Sequence, residues 1–212
     1  MNQELARSGS DARRLPRHHR SASVTGHVGR AAGGGPLTVY TDGSVSRRQI
    51  VSRRGWLTGW GFLSTGGSYG CGRYPQFAAN AGSEVTTVTE LRAVWHAVRG
   101  ELAGRAVTVV TDSRNAAAIL DEWKAGRHRM PAGYIGSNRS VSTLEKLRNL
   151  VVANPSRLTV ETVRGHSGDV LNEGADTLAQ LGMRWARDNL TQEDVSRRAE
   201  SVADGFLRQW RG

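Results

Sequence analysis

Leu37-Thr38-Val39-Tyr40-Thr41-Asp42-Gly43-Ser44 is the stretch that decides the fold. It is an apolar, β-branched and aromatic run that reads as a buried strand and stops on an acid followed by Gly. A carboxylate at the end of a core strand is costly unless it is solvated, paired or holding a metal. The pattern returns at Ala106-Val107-Thr108-Val109-Val110-Thr111-Asp112-Ser113. If the two strands are parallel neighbours, Asp42 and Asp112 lie at the same edge of one sheet. We read Asp42 as the first member of an acidic metal-binding cluster.

Downstream of the first strand, Gly59-Trp60-Gly61-Phe62-Leu63-Ser64 and Ser68-Tyr69-Gly70-Cys71-Gly72 flank a Gly66-Gly67 turn and predict an antiparallel meander with it. Leu91, Val94, Trp95, Val98 and Leu102 recur with helical spacing and predict an amphipathic helix over 88–102, with Glu90 in its first turn. The strand–helix–strand order predicts a parallel, right-handed crossover into the strand ending at Asp112. Further helices are expected over 114–123, 142–152 and 172–187, the last with Asp176 early in it. Residues 158–163 alternate and read as a half-buried strand near an edge. A final helix starts at Thr191, where Thr191 and Asp194 form a capping-box-like pair.

Composition narrows the class. The 212 residues are one domain's worth of chain with a tail, and the low hydrophobic fraction of 38% is a local deficit, since residues 1–36 contain no Phe, Trp or Tyr. That segment, with Arg13-Arg14, Arg17-His18-His19-Arg20 and Gly33-Gly34-Gly35-Pro36, has little to bury and is expected to be a disordered basic tail. The domain boundaries expected are therefore 1–35 for the tail, 36–187 for the catalytic domain and 188–212 for a C-terminal helix packing on it or extending it. A formal charge of +10 points to a polyanionic partner, nucleic acid first and an anionic membrane second. The lone Cys71 excludes an intrachain disulfide and a Cys-based zinc site, and no apolar run reaches the length of a membrane span. With no signal-peptide core at the N-terminus, a soluble cytoplasmic protein is expected.

Four acids stand out by context: Asp42 and Asp112 at strand ends, Glu90 and Asp176 at helix starts. Each alone could be a cap or a dipole partner. All four at one sheet edge without a cation repel strongly. Hard oxygen ligands without Cys favour Mg²⁺ or Mn²⁺ over zinc. Two such ions suit phosphodiester cleavage, with Arg side chains holding the other phosphates. His166, in a Gly-flanked loop ten residues before Asp176, is an ordinary loop histidine by itself; beside the acids it reads as a proton shuttle. Lys124-Ala125-Gly126-Arg127-His128-Arg129-Met130-Pro131, with Tyr134 and Arg139 beyond, is either a solvated loop or a nucleic-acid contact surface.

Taken together, Tyr40-Thr41-Asp42-Gly43-Ser44, Glu90-Leu91-x-Ala93, Thr111-Asp112-Ser113, Gly165-His166-Ser167-Gly168 and Asn172-x-x-Ala175-Asp176-x-Leu178-Ala179 resemble type 1 ribonuclease H over about residues 36 to 186. Each piece is common; the joint pattern is specific. The resemblance implies an α/β ribonuclease H-like fold, a five-stranded mixed sheet flanked by helices, and metal-dependent hydrolysis of RNA in RNA–DNA hybrids to 5′-phosphate and 3′-hydroxyl ends. It implies that Asp42 bridges two Mg²⁺ ions, with Mn²⁺ as substitute. Glu90 and Asp112 then complete the site on the leaving-group side, Asp176 that of the attacking water, and His166 assists proton transfer or product release. It further places Gly43 and Ser44 against the RNA strand, Asn172 near the active site, and Trp123, Lys124, Arg127 and Arg129 in a basic protrusion that grips the hybrid.

Two departures from the family pattern bear on substrate. The Asn-rich stretch that commonly precedes the catalytic Glu is here Val85-Thr86-Thr87, so Thr86 and Thr87 become the expected minor-groove contacts. The loop with Arg47, Arg48, Arg53 and Arg54 replaces a shorter Gly/Pro-rich connection. The expected partner is an RNA–DNA hybrid, bound by a monomer with no obligate protein partner and no membrane. The alternatives are a nuclease of the same superfamily acting on duplex RNA or DNA, and a hybrid-binding module with a weak site.

Overall fold

The computed structural model describes residues 21–29, 33–46, 56–74, 84–134, 141–165 and 168–212. The strands are β1 (Ala22–His27), β2 (Leu37–Val45), β3 (Thr58–Ser64), β4 (Ser68–Tyr74), β5 (Val107–Thr111) and β6 (Leu158–Thr162). They form one mixed sheet in the order β1-β4-β3-β2-β5-β6. The expected meander is present, β2–β3 and β3–β4 being antiparallel. So is the parallel pairing of β2 with β5 and of β5 with β6. β6 closes one edge, as its alternation predicts.

The helices are α1 (Val85–Val98), α2 (Arg114–Lys124), α3 (Thr143–Ala153), α4 (Val170–Arg187) and α5 (Gln192–Arg211). Residues of α1, α2 and α3 share one core with Leu37, Val39, Val107 and Leu158 of the sheet. Residues of α4 and α5 share a second with Leu63, Cys71 and Val24. The sheet is thus sandwiched between helical layers, because alternate residues of its central strands are apolar on both faces. Side chains on the preceding residues start most of the helices. Ser113 accepts from Ala116 N, Ser142 forms a full capping box with Glu145, and the Thr191 hydroxyl accepts from Asp194 N. Among the described residues no helix is long and apolar enough to cross a membrane.

Two expectations need correction. The sheet has six strands, not five: β1 comes from inside the stretch expected to be a disordered tail, and pairs antiparallel with β4 from Ala22↔Arg73 to His27↔Ser68. Val24 and Val28 project to one side and are buried at 8% and 9% exposure, in the core that holds Ala203 and Leu207 of α5. Two valines with Thr, Gly and His between them make a weak apolar signal, and they become a strand only because β4 offers an open edge and α5 a surface to cover. Residues 1–20 and 30–32 lie outside the described residues, as does the Arg47–Arg54 loop. Secondly, α1 and α4 begin earlier than expected, at Val85 and Val170, so Glu90 and Asp176 lie in second turns rather than first. The Asp169 carboxylate caps α4 by accepting from Leu171 N and Asn172 N at 3.1 Å each.

Deleting residues 1–28 is expected to destabilise the domain, since burying each of the two valines is worth roughly 1.5–3 kcal/mol. Urea unfolding of the truncated and full chains tests this. An unchanged midpoint would mean that β1 contributes no stability.

Candidate metal centre

The β2–β5 register runs from Leu37↔Val107 to Tyr40↔Val110. Carried two residues further, the same offset sets Asp42 beside Asp112, as the repeated strand pattern predicts. The other two acids arrive on helices from opposite faces, and a glycine admits each helix. The position of a Cβ on Gly43 lies 2.6 Å from Glu90 N and 2.8 Å from the Thr89 carbonyl carbon, so α1 touches β2 backbone to backbone. On the other face Gly61, the antiparallel partner of Asp42, has the Ala175 carbonyl oxygen 2.5 Å from its Cβ position and Ala179 N closer still. Asp176 follows Ala175 directly. Lack of a side chain at Gly43 and Gly61 therefore brings Glu90 and Asp176 to Asp42.

One oxygen from each of Asp42, Glu90 and Asp112 lies within 4.8 Å of the others. Asp176 lies outside that trio but is hydrogen-bonded to the Asp42 side chain. Asp42, Asp112 and Asp176 line a cleft of about 160 Å³ with Gly43, Ser44, Asn172 and Glu173. Burial first, then the charges of Asp176 and Asp112, push the Asp42 carboxyl up to about 7. Burial raises Glu90 well above the usual carboxylate range, with Asp42 and Asp112 adding to it; the Gly43 N–H bond acts the other way on both. Glu90 is 3% exposed and its Oε2 has no hydrogen-bond partner among the described residues. A buried carboxylate oxygen without a donor, facing two further carboxylates, is a site that a divalent cation fits.

The other expected site residues divide. The Ser44 hydroxyl points along α4, donating to Met183 Sδ at 3.6 Å. Asn172 is 5% exposed, lines the cleft and leaves Oδ1 without a partner among the described residues. Thr86 is exposed, but Thr87 is buried at 5% and turned into the fold, which removes it as a surface contact. Trp123 is likewise corrected: it is fully buried, its indole N–H donating to the Arg129 carbonyl at 2.6 Å, so it anchors the basic segment from inside. Lys124 pairs with Asp121 at 3.4 Å and Arg129 with Glu122 at 3.1 Å, while Arg127 is exposed. Glu84 accepts a hydrogen bond from Ala132 N, tying the same segment to the N-terminus of α1 beside Thr86. His166 and Arg139 lie outside the described residues; the neighbouring Gly165 packs on Asp112, its Cβ position 2.6 Å from Oδ2.

Sequence reasoning passed over two polar residues here. Glu173 adds a fourth acid to the lining of the cleft, and its place beside Asn172 in the first turn of α4 was the available signal. Gln180 donates from Nε2 to both oxygens of Asp176 at 3.0 Å each, a contact that the i, i+4 spacing on a helix makes readable.

A mixed sheet between helical layers, with Asp42, Glu90 and Asp112 meeting at one end of its central strands, defines an α/β protein whose acidic cluster is consistent with a divalent-metal site. The chain belongs to the RNase H family, whose sequence profile matches residues 35–184. It is 39% identical over 101 residues to the ribonuclease H of Anaeromyxobacter dehalogenans strain 2CP-C, covering 45% of this chain and 52% of that one. It is 32% identical over 118 residues to the ribonuclease H of Methylorubrum extorquens strain PA1, covering 54% and 51%. The chain thus spans about half the length of the curated relatives it matches. Among solved structures, a foamy viral protease–reverse transcriptase in complex with RNA/DNA hybrid superposes with a TM-score of 0.49 at 15% identity, over 86% of this chain and 22% of that one.

Proposed function

We propose that this chain is a metal-dependent endonuclease that hydrolyses the RNA strand of RNA–DNA hybrids, leaving 5′-phosphate and 3′-hydroxyl ends. The observation that carries the reading is the meeting of Asp42, Glu90 and Asp112, with Asp176 alongside, at one sheet edge in an RNase H-family chain. Asp42, Glu90 and Asp112 are the residues to hold one Mg²⁺, and Asp42 with Asp176 a second, Mn²⁺ substituting. When bound, the two ions supply an activated water and charge neutralisation at the leaving oxygen. The protein holds the rest of the substrate.

Gly43, Ser44 and Asn172 line the cleft, where Ser44 and Asn172 offer polar contacts to a sugar. Arg127 and the basic segment around it meet phosphates, and their tie through Glu84 keeps them in fixed relation to Thr86. His166 moves the proton of the reaction or helps the product leave. The enzyme acts in the cytoplasm as a monomer without an obligate protein partner, and the N-terminal basic residues add salt-dependent affinity.

Burial of Thr87 favours a second reading, a nuclease of the same superfamily with broader substrate. With only Thr86 exposed, fewer groups read the minor groove ahead of Glu90. One end-labelled RNA, presented single-stranded, as RNA duplex and as RNA–DNA hybrid, each with Mg²⁺, Mn²⁺ or chelator, separates the readings. Metal-dependent internal cleavage of the hybrid alone is expected. Cleavage of duplex RNA as well selects the broader reading, and tight hybrid binding without cleavage refutes both in favour of a binding module.

A further inference from the structure

Gln180 stands one helical turn beyond Asp176 on α4, half-buried, and its Nε2 donates to Asp176 Oδ1 and Oδ2 at 3.0 Å each. One turn further, the Arg184 guanidinium donates to Gln180 Oε1 at 3.4 Å. A guanidinium only donates and an ionised carboxylate only accepts, so the orientation of the amide between them is set from both ends. Asp176 faces the cleft; Gln180 and Arg184 are not among the residues that line it.

We propose that Gln180 is a positioning residue: by holding both oxygens of Asp176 it fixes the carboxylate plane presented to a divalent cation, and so sets the cation affinity of the cleft. The inference rests on the reading of the acidic cluster as a metal site. A carboxylate turns easily about its last torsion. In this cleft Asp176 lies beside Asp42 and Asp112, and a charge on either of them repels it. One charge-assisted hydrogen bond from Gln180 Nε2, shared between the two oxygens, resists that turning. The restraint is neutral, so it orients the carboxylate without placing a competing positive charge beside the cation. Each oxygen keeps a second lone pair for a metal. The only cation of the chain of contacts, Arg184, is exposed and two turns away from Asp176.

The test is calorimetric titration of Mn²⁺ into the chelator-stripped full-length protein, with the Mg²⁺ dependence of hybrid cleavage measured beside it. Gln180→Leu keeps bulk and removes the amide; Gln180→Ala keeps helix propensity should Leu pack badly. Both are expected to weaken Mn²⁺ binding about 10–100-fold and to raise the Mg²⁺ midpoint for cleavage by a similar factor. kcat recovers at saturating Mg²⁺. In an Asp176→Asn background the same substitutions change Mn²⁺ affinity no further, as a double-mutant cycle requires of residues acting through one contact. An unchanged Mn²⁺ affinity in both variants, or an equal loss in the Asp176→Asn background, overturns the proposal. Gln180-dependent Mn²⁺ binding without hybrid cleavage would sink the nuclease reading and leave Gln180 in its role. A wild-type protein that binds no Mn²⁺ overturns both.

Discussion

Asp42→Asn is expected to abolish hybrid cleavage and, in the same protein, to raise the thermal midpoint of the metal-free form at pH 8. Both effects come from one buried charge. The Asp42 carboxyl is pushed from 3.8 up to about 7 by burial and by Asp176 and Asp112. Between those values the folded protein holds a proton that the unfolded chain has released. Stability from this group is therefore fully present below about pH 4 and is lost as pH rises through about 7. At about 1.4 kcal/mol per pH unit the loss reaches about 4 kcal/mol, or roughly 10 °C for a domain of this size. Glu90, raised in the same direction, adds to it.

Asn keeps the volume of Asp and removes the charge, so the variant escapes this loss but can no longer hold the shared cation. Melting curves at pH 5 and pH 8, with chelator and with Mg²⁺, read both effects. The wild type should lose stability from pH 5 to pH 8 in chelator and regain it with Mg²⁺. The variant should do little of either. A variant that melts below the wild type at pH 8 in chelator would show that the Asp42 charge stabilises the fold and is not waiting for a cation.

Gly61→Ala carries the second large effect, although position 61 bears no functional group. Its Cβ falls on the backbone of α4, 2.5 Å from the Ala175 carbonyl oxygen and nearer to Ala179 N. Backbone atoms in a packed helix cannot turn aside as a side-chain tip can. Either α4 lifts from β3 or the strand bends. Overpacking of this kind costs about 1–3 kcal/mol or more. Under the proposed function the displacement also acts on chemistry, because Asp176, a proposed metal ligand, follows Ala175, and a misplacement of about 1 Å costs on the order of a hundredfold in rate. Gly100 is the control, because a Cβ there meets nothing within 4 Å; Gly100→Ala should stay within about 0.5 kcal/mol of wild type. Thermal melts and hybrid cleavage on both variants are the measurement. A Gly61→Ala protein with wild-type midpoint and rate would show that α4 does not sit on β3 as closely as the geometry requires.

The four acids were readable because each rides on an element with a plain local pattern, although β2 runs on past Asp42 to Val45. Asp42 and Asp112 close two matching β-branched runs, and Glu90 and Asp176 sit on helices whose apolar stripes are plain in the sequence. Strand alternation and helix periodicity are properties of neighbouring residues, so one chain is enough to show them. The same holds for the meander, the crossover into β5 and the edge position of β6.

What lay beyond reach depended on residues far apart in the chain. β1 needs an open edge on β4 and the surface of α5, more than 40 and 160 residues away. Resemblance placed Trp123 in the basic protrusion, while helical spacing placed its ring on the inner face of α2; the core bears out the spacing, with Trp123 fully buried and its N–H spent on Arg129. Thr86 and Thr87 are adjacent and chemically alike, and the rotation of α1 exposes one and buries the other. Gly43 was placed against the RNA strand by resemblance, and Gly61 carries little signal, since a missing side chain lowers local preference for extended structure. In the fold they are the positions where helices touch the sheet. The sequence by itself determined which carboxylates exist and on which elements they ride. Tertiary structure decided how near those elements come and which neighbours hold the acids in place, because contact distance depends on the side chains of both partners.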